Sequence, residues 1–157
     1  MRVTRLRNIP ILSRRASLKM ARVEEVYLDL AVRALVALAI RPPAARRTRL
    51  LPRAAITHVG RHGVVLAGDD TDLPVAFRAD AAGLLPLRAL LGKDLVTASG
   101  VWVGLVYDAM LDAITLDVTH LVVAPNASTS TASGHEPVQI AIERLISNGA
   151  DALVVAE

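Results

Sequence analysis

The sequence contains no cysteine, which excludes disulfides, thiolate-held metals and thiol redox chemistry. Aromatic residues make up only 3%, with one Trp and one Phe, so any core must be built from Val, Leu, Ile and Ala. A long uninterrupted apolar run is missing as well. The most apolar span, residues 28–40, is broken by Asp29 and Arg33 and falls short of the ~20 residues that a spanning helix requires. Ser13-Arg14-Arg15 has the outline of a twin-arginine export signal, but Arg22, Glu24 and Glu25 stand where an uncharged segment would have to follow. The expectation is a cytoplasmic protein without a transmembrane segment. Gly-rich phosphate cradles and a Ser nucleophile elbow are also lacking.

What is present is a chain of 157 residues, 53% hydrophobic, long enough for one ordinary domain or two small ones. Its charge is segregated. Residues 1–53 hold 13 of the 18 Lys and Arg against three acids, whereas residues 54–157 hold five bases against 12 acids. A basic surface on one part of the molecule suits a polyanion, an anionic membrane or an acidic partner; alternatively, the two parts complement each other.

The chain also repeats itself. Laid over residues 104–123 at an offset of 83, residues 21–40 place Val23 on Val106, Glu25 on Asp108, Leu28 on Leu111 and Asp29 on Asp112. A second block matches at an offset of 89, with Gly60 on Gly149 and residues 64–66 on residues 153–155. The six additional residues fall in the small, polar stretch from Asn126 to Gly134, which has the composition of a tolerated loop. In the second copy the pattern predicts strands over 93–98, 101–110, 117–124, 138–142 and 152–156. Ser99-Gly100 and residues 112–115 are the expected turns, and residues 143–151 a turn or single helical turn. The fold class expected is all-β: two tandem small β-barrels with short helical turns. Residues 1–68 form the first, basic copy, residues 69–88 an acidic linker and lead-in, and residues 89–157 the second copy. Leu84 to Leu91 is expected to plug one end of the second barrel.

The stretch from Leu90, with its apolar-Gly-Lys start, Ser99-Gly100 turn, Gly104-x-Val106-x-Asp108 and Leu111-Asp112, resembles the opening of a PRC-barrel domain. The stretch from Leu50, in which Leu51-Pro52 precedes an apolar residue, a Gly and a Val-rich strand, resembles that family's second half. The family is named after the cytoplasmic β-barrel of the photosynthetic reaction-centre H subunit and includes a domain of a ribosome-maturation factor. The first copy departs from the pattern at residues 13–17, where the Gly-Lys and turn are replaced, and the second copy lacks the Leu-Pro. The resemblance implies a tandem PRC-barrel protein acting as an assembly or interaction module.

Asp108 and Asp112 are expected to punctuate turns by capping backbone N–H groups, since Glu25 and Asp29 repeat them. His58, His62, His120 and His135 are scattered, and Asp69, Asp70 and Asp72 lack the Gly and terminal Glu of a calcium loop, so no metal or cofactor is expected. Asn126-Ala127-Ser128 is a glycosylation sequon that would matter only on export. Arg2, Arg5 and Arg7, together with Arg46, Arg47, Arg49 and Arg53, would make one positive face if the two segments were adjacent. Trp102 reads as a core plug or, if exposed, as a partner anchor. The functional expectation is a non-catalytic module that docks onto a larger protein complex. The alternatives are a protein that binds RNA or an anionic membrane surface through the Arg-rich half and, third, an enzyme using Asp108 and Asp112. Short strand edges suit a homodimer.

Overall fold

The computed structural model describes residues 1–14, 19–43, 48–67, 84–125 and 136–157. Alternating burial along the long strands shows how the aliphatic sequence is used. Strand β2 (Lys19–Asp29) buries Ala21, Val23, Val26 and Leu28, and its counterpart β9 (Trp102–Leu111) buries Gly104, Val106, Ala109 and Leu111. With one side chain on each face per residue pair, each strand presents an apolar row inward and a second row outward.

The first sheet begins with β1 (Pro10–Leu12), β2, β3 (Ala34–Arg41) and β4 (Arg49–Pro52) as an antiparallel meander. A 3-10 turn at Arg53–Ala55 leads into the hairpin β5 (Ile56–Gly60) and β6 (Gly63–Leu66), and β6 closes back parallel to β1. The order is therefore β4-β3-β2-β1-β6-β5. The second sheet uses β8 (Asp94–Thr97), β9, β10 (Val118–Ala124), β11 (Val138–Ala141), a 3-10 turn at Ile142–Arg144, β12 (Leu145–Asn148) and β13 (Ala152–Val155). Its order, β11-β10-β9-β8-β13-β12, repeats the first strand for strand. The protein is all-β with two sheets of one plan. Neither sheet is a closed barrel: among the described residues, no ladder joins the edge strands β4 and β5, or β11 and β12, which are connected by the 3-10 turns alone.

Two local expectations need correction. Residues 145–148, expected as turn, form strand β12, an exposed edge whose short polar-flanked sequence lacks an apolar alternation. The lead-in does not plug the second sheet: β7 (Leu85–Pro86) pairs with β2 of the first, at Tyr27 and Leu28, and continues into the helical turn α1 (Leu87–Leu90). The opposite exchange occurs at the N-terminus, where Arg2 bridges to Met110 and the Met1 and Leu111 backbones bond reciprocally, both at 2.7 Å. The 3-10 turn Val3–Leu6 then lies against β9. Each copy's lead-in thus docks on the other copy's longest strand. Val3 and Leu6 correspond to Leu87 and Leu90, and all four are fully buried.

A pseudo-two-fold axis accounts for the match. Ala34 bridges Asp117, its own repeat partner, while Leu35 donates its N–H to the Leu116 carbonyl at 2.9 Å and Val118 donates to Arg33 at 2.8 Å. Arg33 and Leu116 occupy the same left-handed conformation, at φ 56° and 62°. The buried aliphatic residues of both sheets form one continuous core.

Candidate interaction faces

The paired acids divide into two roles. Asp112 sits at the end of β9 and accepts from the backbone N–H groups of Ile114 and Thr115, at 2.8 and 3.0 Å, as Asp29 does from Ala31 and Val32. The Thr115 and Ile114 N–H groups hold the Asp112 carboxyl below the usual carboxylate range. Glu157 is likewise lowered, by hydrogen bonds from the Ser99 hydroxyl and backbone N–H across the Ser99-Gly100 turn. These acids behave as turn punctuation.

Asp108 and Glu25 do not sit at turns. Both are buried inside their strands, next to bulges, and both hold the exchanged lead-ins. Asp108 accepts from the Thr4 hydroxyl at 2.5 Å, the Thr4 backbone N–H at 3.1 Å and the Ala109 N–H at 2.8 Å. Glu25 accepts from the Val26 N–H at 2.9 Å and pairs with Arg7 at 3.3 Å and Arg88 at 3.1 Å. Thr4 and Arg88 occupy corresponding places in the two lead-ins. A buried carboxylate surrounded by donors is stabilised where an unpaired one would not be.

Of the arginines singled out by sequence, three have separate partners among the described residues. Arg2 lies over the Tyr107 ring, 5.8 Å from its centre, and Arg7 is held by Glu25. Arg53 reaches the Thr115 carbonyl and the Asp117 carboxylate, bridging the copies. Arg5 and Arg49 are exposed, and Arg46 and Arg47 lie outside the described residues, as do His135, the Asp69-Asp70-Asp72 cluster and the sequon. His58 and His62 are exposed around the β5–β6 turn, and the His120 ring contacts the Thr119 hydroxyl. Among the described residues there is no group of three or more His, Asp and Glu side chains placed to hold a metal.

The sharpest contrast lies on the outward rows of β2 and β9. Lys19 stands opposite Leu12 and Arg22 opposite both Pro10 and Arg41. At the same register positions in the second sheet, Trp102 stands opposite Val96 and Leu105 opposite both Asp94 and Ala124. Glu24 corresponds in turn to Tyr107. The first sheet therefore carries Lys19, Arg22, Glu24 and Arg41 where the second carries Trp102, Leu105, Tyr107 and Ala124. Trp102 is 37% exposed, Leu105 43% and Tyr107 52%, and the Trp102 indole N–H is fixed by Asp94 at 2.8 Å. Lys19, Arg22, Leu105 and Tyr107 were not legible as site residues from either copy alone. Subtracting one copy from the other at the offset of 83 was the signal that could have found them.

Over the basic row lies a groove of about 520 Å³, lined by Pro10, Lys19, Arg22, Arg41, Pro42 and Pro43 among others. Among the described residues, no helix is long and apolar enough to cross a membrane. Compared with protein-family models and with curated proteins, the sequence matches none.

Proposed function

We propose that the protein is a non-catalytic docking module, of the PRC-barrel type its sequence resembles, that joins a larger protein assembly through the outward face of its second sheet. The observation that carries this reading is the row Trp102, Leu105 and Tyr107: two aromatic rings and a leucine exposed side by side, in a chain with only 3% aromatics. Interfaces concentrate their energy in such anchors. The apolar character of this row is not imposed by the fold, because the same places in the first sheet are filled by Lys19, Arg22 and Glu24. The non-catalytic part of the reading rests on how the acids are used. The hydrogen bonds of Asp108 and Asp112 go to the Thr4 lead-in and to turn and strand N–H groups, as structural carboxylates do.

The test is affinity capture from a lysate of the source organism, washed at low and then high salt, with wild type and the double variant Leu105→Ser/Tyr107→Ser. A protein retained at high salt by wild type should be lost from the variant, with affinity reduced at least about tenfold, since truncating a buried anchor costs about 2 kcal/mol or more. Equal capture by both proteins would refute the assignment of this face. Recovery only of RNA or lipid, released by salt, would favour the polyanion reading instead.

A further inference from the structure

The outward row of the first sheet faces solvent at places equivalent to the apolar row, yet its chemistry is the opposite. Three cations, Lys19, Arg22 and Arg41, line the groove with Glu24, the one carboxylate among its described lining residues. Their arrangement is partly fixed. Arg41 pairs with Glu24 at 2.6 Å, Glu24 also accepts from the Thr48 hydroxyl at 2.5 Å, and Arg22 donates to the Asn8 carbonyl at 2.7 Å. That last bond uses Nη1, and a guanidinium has further N–H groups of the kind a carboxylate accepts from. Lys19 has no partner among the described residues.

From this geometry we infer that the groove over β1, β2 and β3 binds an extended acidic peptide segment of a partner protein. Charge complementarity names the sign: the site carries a net positive charge over apolar walls. The walls decide the class. Pro10, Pro42 and Pro43 line the groove beside the cations, so an occupant that alternates acidic and apolar side chains, the period of an extended strand, meets both surfaces at once. RNA would need flat rings on which bases stack, and no aromatic side chain is among the described residues that line the groove. A bilayer would need apolar side chains protruding beside the cations, and among the described residues none of the exposed large hydrophobics lines the groove. The two faces therefore recognise different chemistry, and the module can hold two partners or two parts of one.

The experiment is fluorescence anisotropy on the full chain with a short labelled peptide alternating glutamate and leucine. A glutamine-for-glutamate version, a single-stranded RNA oligonucleotide and phosphatidylglycerol-containing vesicles serve as competing probes. The acidic peptide should bind best, and added salt should weaken it. Lys19→Glu/Arg22→Glu should reduce peptide affinity by roughly tenfold or more, as expected on reversing charges that contact a carboxylate. Leu105→Ser/Tyr107→Ser should leave peptide binding unchanged, so this inference and the apolar docking face stand or fall separately. Melting curves matching wild type establish that each variant is folded. Tighter binding of RNA or vesicles than of the peptide would overturn the proposal, as would wild-type peptide affinity in Lys19→Glu/Arg22→Glu or equal binding of the glutamine peptide.

Discussion

Two aspartates four residues apart, one inside β9 and one just past its end, illustrate how position, not residue type, sets what a carboxylate does. Asp112 is solvent-facing, and its carboxyl is lowered by the Thr115 and Ile114 N–H groups. A group whose folded value lies below its unfolded value contributes stability above the unfolded value, about 3.9 for Asp, and loses it as the pH falls through the folded one. Asp112→Ala should therefore melt below wild type at neutral pH, and the difference should close under acid, as thermal melts across a pH series would show. Asp108 is buried and joins two distant segments. Asp108→Asn should cost about 2 kcal/mol, because the buried carboxylate that accepts from both half-buried Thr4 donors is lost. Thr4→Val should cost less, about 1 kcal/mol, and urea titrations of both single variants and the double variant should show strong non-additivity.

Among the elements, the lead-ins were the hardest part of the fold to read from sequence. The repeat itself, the turn at Ser99-Gly100 and the meander strands follow from local alternation and turn residues. Docking of residues 1–6 on β9 and of residues 85–90 on β2 depends on contacts between distant parts of the chain, which no local pattern encodes. The first copy's missing Gly-Lys had a similar cause. Its counterpart is Asn8-Ile9, offset by 84 instead of 83, and Asn8 holds φ 66° where Gly92 holds φ 85°. Both donate their N–H at 2.8 Å to β2 or β9, at Val23 and Val106. Asn tolerates the left-handed region better than other non-glycine residues, which explains the substitution. Gly92→Ala, with open space around its Cβ, should cost about 1 kcal/mol through backbone conformation alone, whereas Gly92→Asn should cost less. Gly104→Ala should be worse, about 1–3 kcal/mol, because a Cβ there presses on the Ala124 carbonyl and the Val123 side chain. Chemical denaturation would rank the three.

At the scale of the whole molecule, the pseudo-two-fold brings basic residues of one copy against the other. Arg2 and Arg53 cross to the second copy, where they meet Tyr107 and Asp117, and Arg88 crosses back to Glu25. The Arg53–Asp117 and Arg88–Glu25 pairs are contacts of the kind that complementarity between the two parts, one of the two sequence readings of the segregated charge, expects. The exchange of lead-ins and the continuous core also predict that a protease site introduced within residues 68–83 will leave the cleaved protein eluting as one species in gel filtration. Separation of the halves without denaturant would show that the copies are independent. Symmetry holds inside the molecule and is broken on its surface, at the outward rows of β2 and β9 where we propose that partners dock. The most direct measurement places a photo-crosslinking amino acid at position 105 in the intact protein inside its own cells. A discrete protein adduct from position 105, absent when the crosslinker is placed at the exposed β12 position Ile146, is the predicted result. No adduct at 105, or the same adducts from both positions, would contradict docking through this face.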